Sequence, residues 1–474
     1  MIQTVFTLVS WMGNPKTDFQ VTVARAQMSV TAGEAALNIA VIGSGIAGMS
    51  AAWLLSQRHV VTLYEQDRRI GGHSNSVPVP GAGQFVDTGF IVFNELNYPN
   101  LTALFKHLKV QTQPTEMSLA VSLRGGGLEY SGKHLGTLFA QPRNIVSGRF
   151  WSMLRDLRRF YQAAPLDLAD LDDRSITLGE YLDERRYGTA FREDHLLPMA
   201  GAIWSAPPRA ILDYPAASFI RFHDNHGLLK LTDRPVWRTV TGGSRNYVEM
   251  LTPSFRKRIH IGTPVTHIRS GEQAVFIRDA TGDTSKFDHV VIASHADQAL
   301  ALLVDPSREE RTALGSFRYS RNRAVLHSDT ALMPKRRSVW SSWNYIGAPD
   351  GDGALPTITY WMNRLQSLRT ERPLFLTLNP RVEPRDIYYE TYYEHPLFNS
   401  AAIAAQRMLW PLQGQRRLWF CGSYFGYGFH EDGLQAGLAV VEQIDPRCRR
   451  PWSVDNESGR IFVRAIANSC EVAA

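Results

Sequence analysis

Ile39, Ala40, Val41 and Ile42 form a short unbroken apolar run that enters Gly43, Gly45 and Gly48. Ala51, Ala52, Leu54 and Leu55 then recur at helical spacing, and Val60, Val61, Leu63 and Tyr64 make a β-branched and aromatic run ending in Glu65. The pattern predicts strand, glycine turn, helix, strand and acid in one continuous unit. Such a turn brings backbone N–H groups to a helix N-terminus, where aligned peptide dipoles favour a pyrophosphate. The residues assigned to this contact are Gly43, Ser44, Gly45, Ile46, Ala47 and Gly48. Glu65 stands twenty positions past Gly45, the spacing at which a carboxylate receives the hydroxyls of an adenosine ribose, with Gln66 beside it.

A second glycine turn follows at Gly71 and Gly72, next to His73. A nicotinamide cofactor does not require it, whereas FAD runs on past the first helix and needs another close backbone approach. The expected cofactor is therefore FAD.

Further along, residues 85–93 read as a strand carrying Asp87, Thr88 and Gly89, and residues 99–108 as a helix. The stretch to about 230 mixes short strands such as 118–123 with aromatic, basic helices such as 150–161, and Pro207, Pro208 and Pro215 punctuate its end. Strand-like alternation returns at 237–240, 259–265, 274–278 and 289–293. A second distinct stretch holds runs at 324–327, 339–345 and 357–362 and a helix after Phe398. A last strand, 418–422, enters a glycine and aromatic loop and the helix 434–444.

The order predicts an α/β chain: a Rossmann-type FAD-binding domain at 38–110, 231–304 and 410–446, with an inserted α+β substrate domain at 111–230 and 305–409. Residues 1–37 are expected to be a disordered extension with no signal peptide, and 447–474 a loosely held tail.

A length of 474 residues suits two associated domains, and 44% apolar with 20% charged residues is ordinary for a globular enzyme. The formal net charge of +6 is too small to choose among membrane, nucleic acid and acidic substrate. Dispersed basic residues and the lack of a recognition motif disfavour nucleic acid. Cys421, Cys448 and Cys470 have no close pairing, which excludes a disulfide framework and a Cys-x-x-Cys motif and predicts a cytoplasmic location. No apolar run is long enough to cross a membrane as a helix.

With these segments in place, the chain resembles the flavin-containing amine oxidase superfamily, and within it bacterial oxidoreductases similar to the amino-terminal flavin region of plant cyclopropane fatty acid synthases. The resemblance is carried by Gly43 to Gly48, by Gly71, Gly72 and His73, by Ile203, Trp204 and Ser205, and by residues 86–100, 222–229, 232–243, 341–345, 360–366 and 420–437. It implies that Val265 touches adenine through its backbone and that Gly71, Gly72 and His73 line the pyrophosphate and ribityl chain. It also implies that Gly422 closes the last strand, and that Phe429, His430 and Glu431 approach the isoalloxazine. The helix starting near Gly433 and Leu434 would aim its N-terminus at the flavin pyrimidine edge. His73 stands where many amine oxidases have arginine, and a flavin-facing lysine is not evident.

The resemblance further implies oxidation, desaturation or isomerisation of a lipid acyl chain by hydride transfer to flavin N5, with a lipid-modifying methyltransferase as partner. An amine or amino-acid oxidase and a flavin-bearing scaffold remain the alternatives. Hydride transfer needs the reacting carbon stacked in a dry pocket. Trp343, Tyr360, Trp361, Tyr424 and Phe429 are candidates for its lining. His223, Asp224 and His226 form a polar cluster able to supply an acid or base, and it lacks the further ligands of a metal site. His295 follows a strand that would end near the flavin. Finally, Phe150, Trp151, Leu154, Leu157, Phe160 and Tyr161 interleave with Arg149, Arg155, Arg158 and Arg159, a pattern that fits either a core helix with a basic face or peripheral membrane contact.

Overall fold

The buried run at 39–42 pairs in parallel on both sides, so it can only be the centre of a sheet. In the computed structural model, which describes residues 35–80, 83–172, 174–230, 233–347, 355–454 and 461, this five-stranded parallel sheet has the order Ile259–His260, Val60–Tyr64, Asn38–Ile42, His289–Ile292 and Leu418–Phe420. Its strands come from three distant stretches of chain. Helix Ile46–Leu55, buried along its whole length, packs between this sheet and the final helix His430–Ile444. The expected extension at 1–37 lies almost wholly outside the described residues.

A second, seven-stranded mixed sheet has the order Ile387–Leu397, Arg318–His327, Phe375–Leu378, Thr357–Trp361, Trp343–Ile346, Leu119–Leu123 and Leu128–Ser131. It is sewn together where Trp343–Ile346 pairs in parallel with Leu119–Leu123. Helices between 148 and 225 pack on one another around Phe160, Tyr181, Phe191, Phe219 and Phe222.

Several boundaries depart from the sequence reading. The strand expected at 85–93 is two short strands, Phe85–Asp87 and Phe93–Asn94, because Thr88 to Val92 turn along the cavity described below. The run at 259–265 divides between two sheets, Ile259–His260 in the parallel one and Val265–Ser270 in a three-stranded meander. The last helix starts at His430, four residues before the expected start, because Asp432 accepts from the Phe429 N–H (2.9 Å) and caps it.

The described part of the tail is docked. Trp452 stacks on Trp53 (5.9 Å between centroids) and donates to Asn100 Oδ1 (3.1 Å), and Arg450 pairs with Glu442 (2.8 Å). The helix Gly148–Asp172 buries Phe150, Met153, Phe160 and Tyr161, so its aromatic residues are mostly core and only Trp151 is turned outward. Among the described residues no helix is long and apolar enough to cross a membrane.

Candidate active site

At the carboxyl end of the parallel sheet a cavity of about 950 Å³ opens, bounded by both sheets and by the loop before the last helix. Its first end is built by the glycine turn. Gly43 has a φ of 99°, and a Cβ there would lie 2.9 Å from the carbonyl oxygen of Ala293. A Cβ on Gly48 would collide with the Gly43 carbonyl, so Gly48 serves close packing of helix on strand and is not itself part of the cavity wall. Gly45 differs: a Cβ on it would meet no atom within 4 Å and would project into open space beside Ile46 and Ala47. That is the cradle a pyrophosphate requires, with first-turn N–H groups that have no intrahelical acceptor.

The second glycine turn packs on the first. Gly71, at φ 109°, donates its N–H to the Ser44 carbonyl (3.1 Å) and stays behind the wall, while a Cβ on Gly72 would come within 2.9 Å of Gly45 Cα. Glu65 is buried at the end of its strand, where Oε2 accepts from the Ser44 N–H (2.8 Å) and hydroxyl and Oε1 from the Asp67 N–H (2.9 Å). Its carboxylate is thereby fixed before any ribose arrives. Gln66 and Val265 complete this end.

Midway, His73 lines the cavity with its ring 4.9 Å from Tyr393 and 5.7 Å from His395. Burial holds its imidazole well below the usual histidine range, and the neighbouring His395, His295, His430 and Arg69 further oppose a charge on it. His430 is stacked on Phe90 at 3.8 Å, and its Nε2 lies 3.0 Å from both Ser74 Oγ and Tyr247 OH. Burial pushes it down to about 3, so it is a neutral, hydrogen-bonded plate in the wall. Gly422 and Gly433 line the same region. His295 lines the cavity too, stacked on Tyr319 (4.3 Å) with Nδ1 3.2 Å from Glu394.

The far limb is apolar. Trp343 and Tyr360 are cross-strand partners whose rings meet edge to face at 5.0 Å. Trp204 leans on Phe222 (4.6 Å), which stacks on Phe429 (5.1 Å). Met117, Ile203, Leu376 and Leu378 fill the rest. The Tyr360 hydroxyl lies beside Ser205 and is pushed up by burial. The indole N–H groups of Trp204 and Trp343 are buried with no hydrogen-bond partner among the described residues.

Five further expected site residues lie elsewhere. His223 faces the helical core: Nδ1 is 2.8 Å from the Phe219 carbonyl, its ring packs on Phe219 at 4.0 Å, and burial pushes it down to about 4. Asp224 is half-buried outside the cavity, and it is His226, at the end of the same helix, that lines it. Glu431 turns its carboxylate away, accepting from the N–H groups of Asn100 (3.0 Å) and Leu101 (2.9 Å) and so capping the helix Pro99–Leu108. Leu434 is wholly buried in the core beneath. Trp361 alternates away from Tyr360 and packs on Trp340 and Arg364.

Residues missed by the sequence reading include Phe90, Ser74, Tyr247, His395 and Ser205. Only Ser205 left a local signal: it ends the helix Leu197–Trp204 in a left-handed conformation (φ 51°), just before the proline pair at 207 and 208.

A Rossmann-type parallel sheet, two glycine turns and a long cavity leading to an aromatic pocket define an FAD-dependent oxidoreductase. The chain belongs to the flavin-containing amine oxidoreductase family, whose sequence profile matches residues 46–341. No curated protein matches it in sequence. Among solved structures it is similar to a fatty acid isomerase from P. acnes that produces CLA, with 15% identity and a TM-score of 0.62 over 86% of this chain and 99% of that one. A putrescine oxidase variant matches at 13% identity and a TM-score of 0.64, covering 87% and 99%. Cyclohexylamine oxidase from Brevibacterium oxydans matches at 16% and 0.61, covering 86% and 100%. At these identities the likeness is one of fold.

Proposed function

We propose that this FAD-dependent oxidoreductase oxidises, desaturates or isomerises a lipid acyl chain. One observation carries the reading. The cavity-lining residues drawn from 111–230 and 339–378 include no carboxylate and no lysine or arginine. Glu394 and Arg321, from the same domain, also line the cavity, but Glu394 is held by His295 (3.2 Å), so an ammonium substrate would find no free counter-ion in the aromatic limb, whereas a hydrocarbon segment loses nothing on leaving water and gains apolar contact. The resemblance read from the sequence, to the flavin region of plant cyclopropane fatty acid synthases, implies the same substrate class and a lipid-modifying methyltransferase as partner. Bound FAD would supply the two-electron acceptor at N5. The chain's own residues would then grip the ADP half at Gly45 and Glu65, hold a neutral wall at His430, and exclude water with Trp204, Phe222, Trp343 and Phe429.

The second reading, an amine oxidase, is favoured by family membership itself. The test compares membrane lipids of cells with and without the gene, together with peroxide release by the purified protein on a panel of amines. An acyl precursor that accumulates in the gene's absence supports the first reading. Unchanged lipids together with peroxide from amines would replace it with the second.

A further inference from the structure

The chain's basic excess is concentrated in one place. Residues 132–166 carry six lysines and arginines against a single acid, Asp156, while the whole chain has a formal excess of only six. Part of that charge is neutralised within the fold: Lys133 pairs with Glu116 (3.1 Å), Arg149 with Asp194 (2.7 Å) and Glu193 (2.9 Å), and Arg159 with Asp156 (3.5 Å). Among the described residues Arg143 and Arg158 have no carboxylate in ion-pair range, and Arg155 reaches only the buried Asp156, at 3.9 Å.

The same stretch holds a cluster of apolar side chains in water. Val146 is 84% exposed, Leu135 74%, Ile145 54% and Trp151 50%. They are neighbours: the Trp151 indole donates to the Ile145 carbonyl (2.7 Å) and its ring lies 5.5 Å from Phe139, one helical turn from Leu135. Along the helix Gly148–Asp172, Trp151, Arg155 and Arg158 follow one another at i, i+4 and i+7 and so share a face, opposite the buried Phe150, Met153 and Phe160.

We propose that this surface docks the protein on an anionic lipid bilayer, with Leu135, Ile145, Val146 and Trp151 entering the interface and Arg143, Arg155 and Arg158 meeting lipid phosphates. Aliphatic tips beside an amphipathic tryptophan and guanidiniums that no close carboxylate neutralises are what an interfacial anchor combines, and neither component alone holds a protein firmly. The charge selects the occupant. A second copy of this chain would set the same basic stretch against itself, and an anionic bilayer would not. The basic stretch is tied to the apolar limb of the cavity through Lys133, which pairs with Glu116 next to the cavity-lining Met117. Docking stands independently of the flavin chemistry; only its purpose, delivery of an acyl chain, rests on the proposed function.

The test sediments the FAD-loaded protein with vesicles of phosphatidylcholine alone and of equal parts phosphatidylcholine and phosphatidylglycerol, at low and at physiological salt. The expected result is binding to the anionic vesicles only, weakened by salt. Binding should fall about tenfold in Val146→Glu and in Leu135→Ser, and about a hundredfold when Arg143, Arg155 and Arg158 are all changed to Glu. Flavin absorbance and melting temperature verify that each variant is folded. Equal binding to neutral vesicles, no binding to either, or folded variants that bind like the parent would overturn the proposal. So would a dimer in solution that Val146→Glu turns into a monomer. Vesicle binding without any change in cellular acyl chains would leave the docking surface standing and remove the acyl-chain reading.

Discussion

Glu431 and Asn100 are 331 positions apart in sequence, yet the Glu431 carboxylate accepts from both the backbone N–H (3.0 Å) and the side-chain amide (2.9 Å) of Asn100. The first turn of one helix thus caps the first turn of another, and the charge sits where two sets of N-terminal N–H groups converge. Replacing Glu431 with Ala leaves buried donors unsatisfied, at a cost of about 2 kcal/mol or more. Denaturant unfolding of the apoprotein should show this loss, and an unchanged midpoint would refute the capping role.

The glycines separate packing from binding. Gly45→Val should leave the apoprotein about as stable as the parent, because its Cβ meets no protein atom, while weakening FAD binding at least about tenfold by filling the pyrophosphate cradle. Gly48→Ala should destabilise the apoprotein itself, since its Cβ collides with the Gly43 carbonyl. FAD titration by flavin fluorescence beside thermal melts of the cofactor-free protein tells the two effects apart.

Trp343→Ala opens the apolar limb next to Tyr360. Losing an aromatic wall should raise KM for an apolar substrate by about 10- to 100-fold with FAD affinity unchanged, because the site of the change is remote from Glu65 and Gly45. Tyr360→Phe keeps the ring and removes only the hydroxyl beside Ser205, so its KM should rise far less. Equal effects of the two changes would remove the case for shape as the basis of binding.

Buried imidazoles make the fold sensitive to acid. His223 and His395 are pushed down to about 4 and His430 to about 3, chiefly by burial. An unfolded histidine titrates near 6.5. Between these values the unfolded chain binds protons that the folded one refuses, so the stabilisation is fully present above about pH 6.5 and is lost as pH falls toward 4. Asp87, which burial pushes up to about 6, acts with opposite sign below that pH, and one carboxyl offsets only part of three imidazoles. Melting temperature should therefore drop steadily from pH 7 to 4.5, and His430→Gln should flatten the slope. A flat profile in the parent would count against neutral buried histidines.

The dinucleotide unit at 38–65 was legible because every signal in it is local: glycine spacing, an apolar strand and an acid at a fixed interval. The parallel sheet follows from the same stretch, and FAD from the second glycine turn at Gly71 and Gly72 just beyond it. The substrate limb was only half legible. Strand alternation separates Tyr360 from Trp361, which point opposite ways, but that alternation is masked when both residues are aromatic. His223 and His226 are three apart on one helix, and nothing local tells which of them faces a cavity whose other wall comes from residues beyond 340. The resemblance places Glu431 at the flavin through its loop, and its true partners at 100 and 101 are invisible to any local pattern.

The parallel seam between Leu119–Leu123 and Trp343–Ile346 bears on how the chain is made. During translation the early strand emerges with its mate still more than two hundred residues from the ribosome, so a bare β-edge must wait through much of synthesis. A nascent chain arrested before residue 343 should accordingly lean on chaperones, and release of the complete polypeptide, not emergence of the glycine turn, would time the maturation of the substrate pocket.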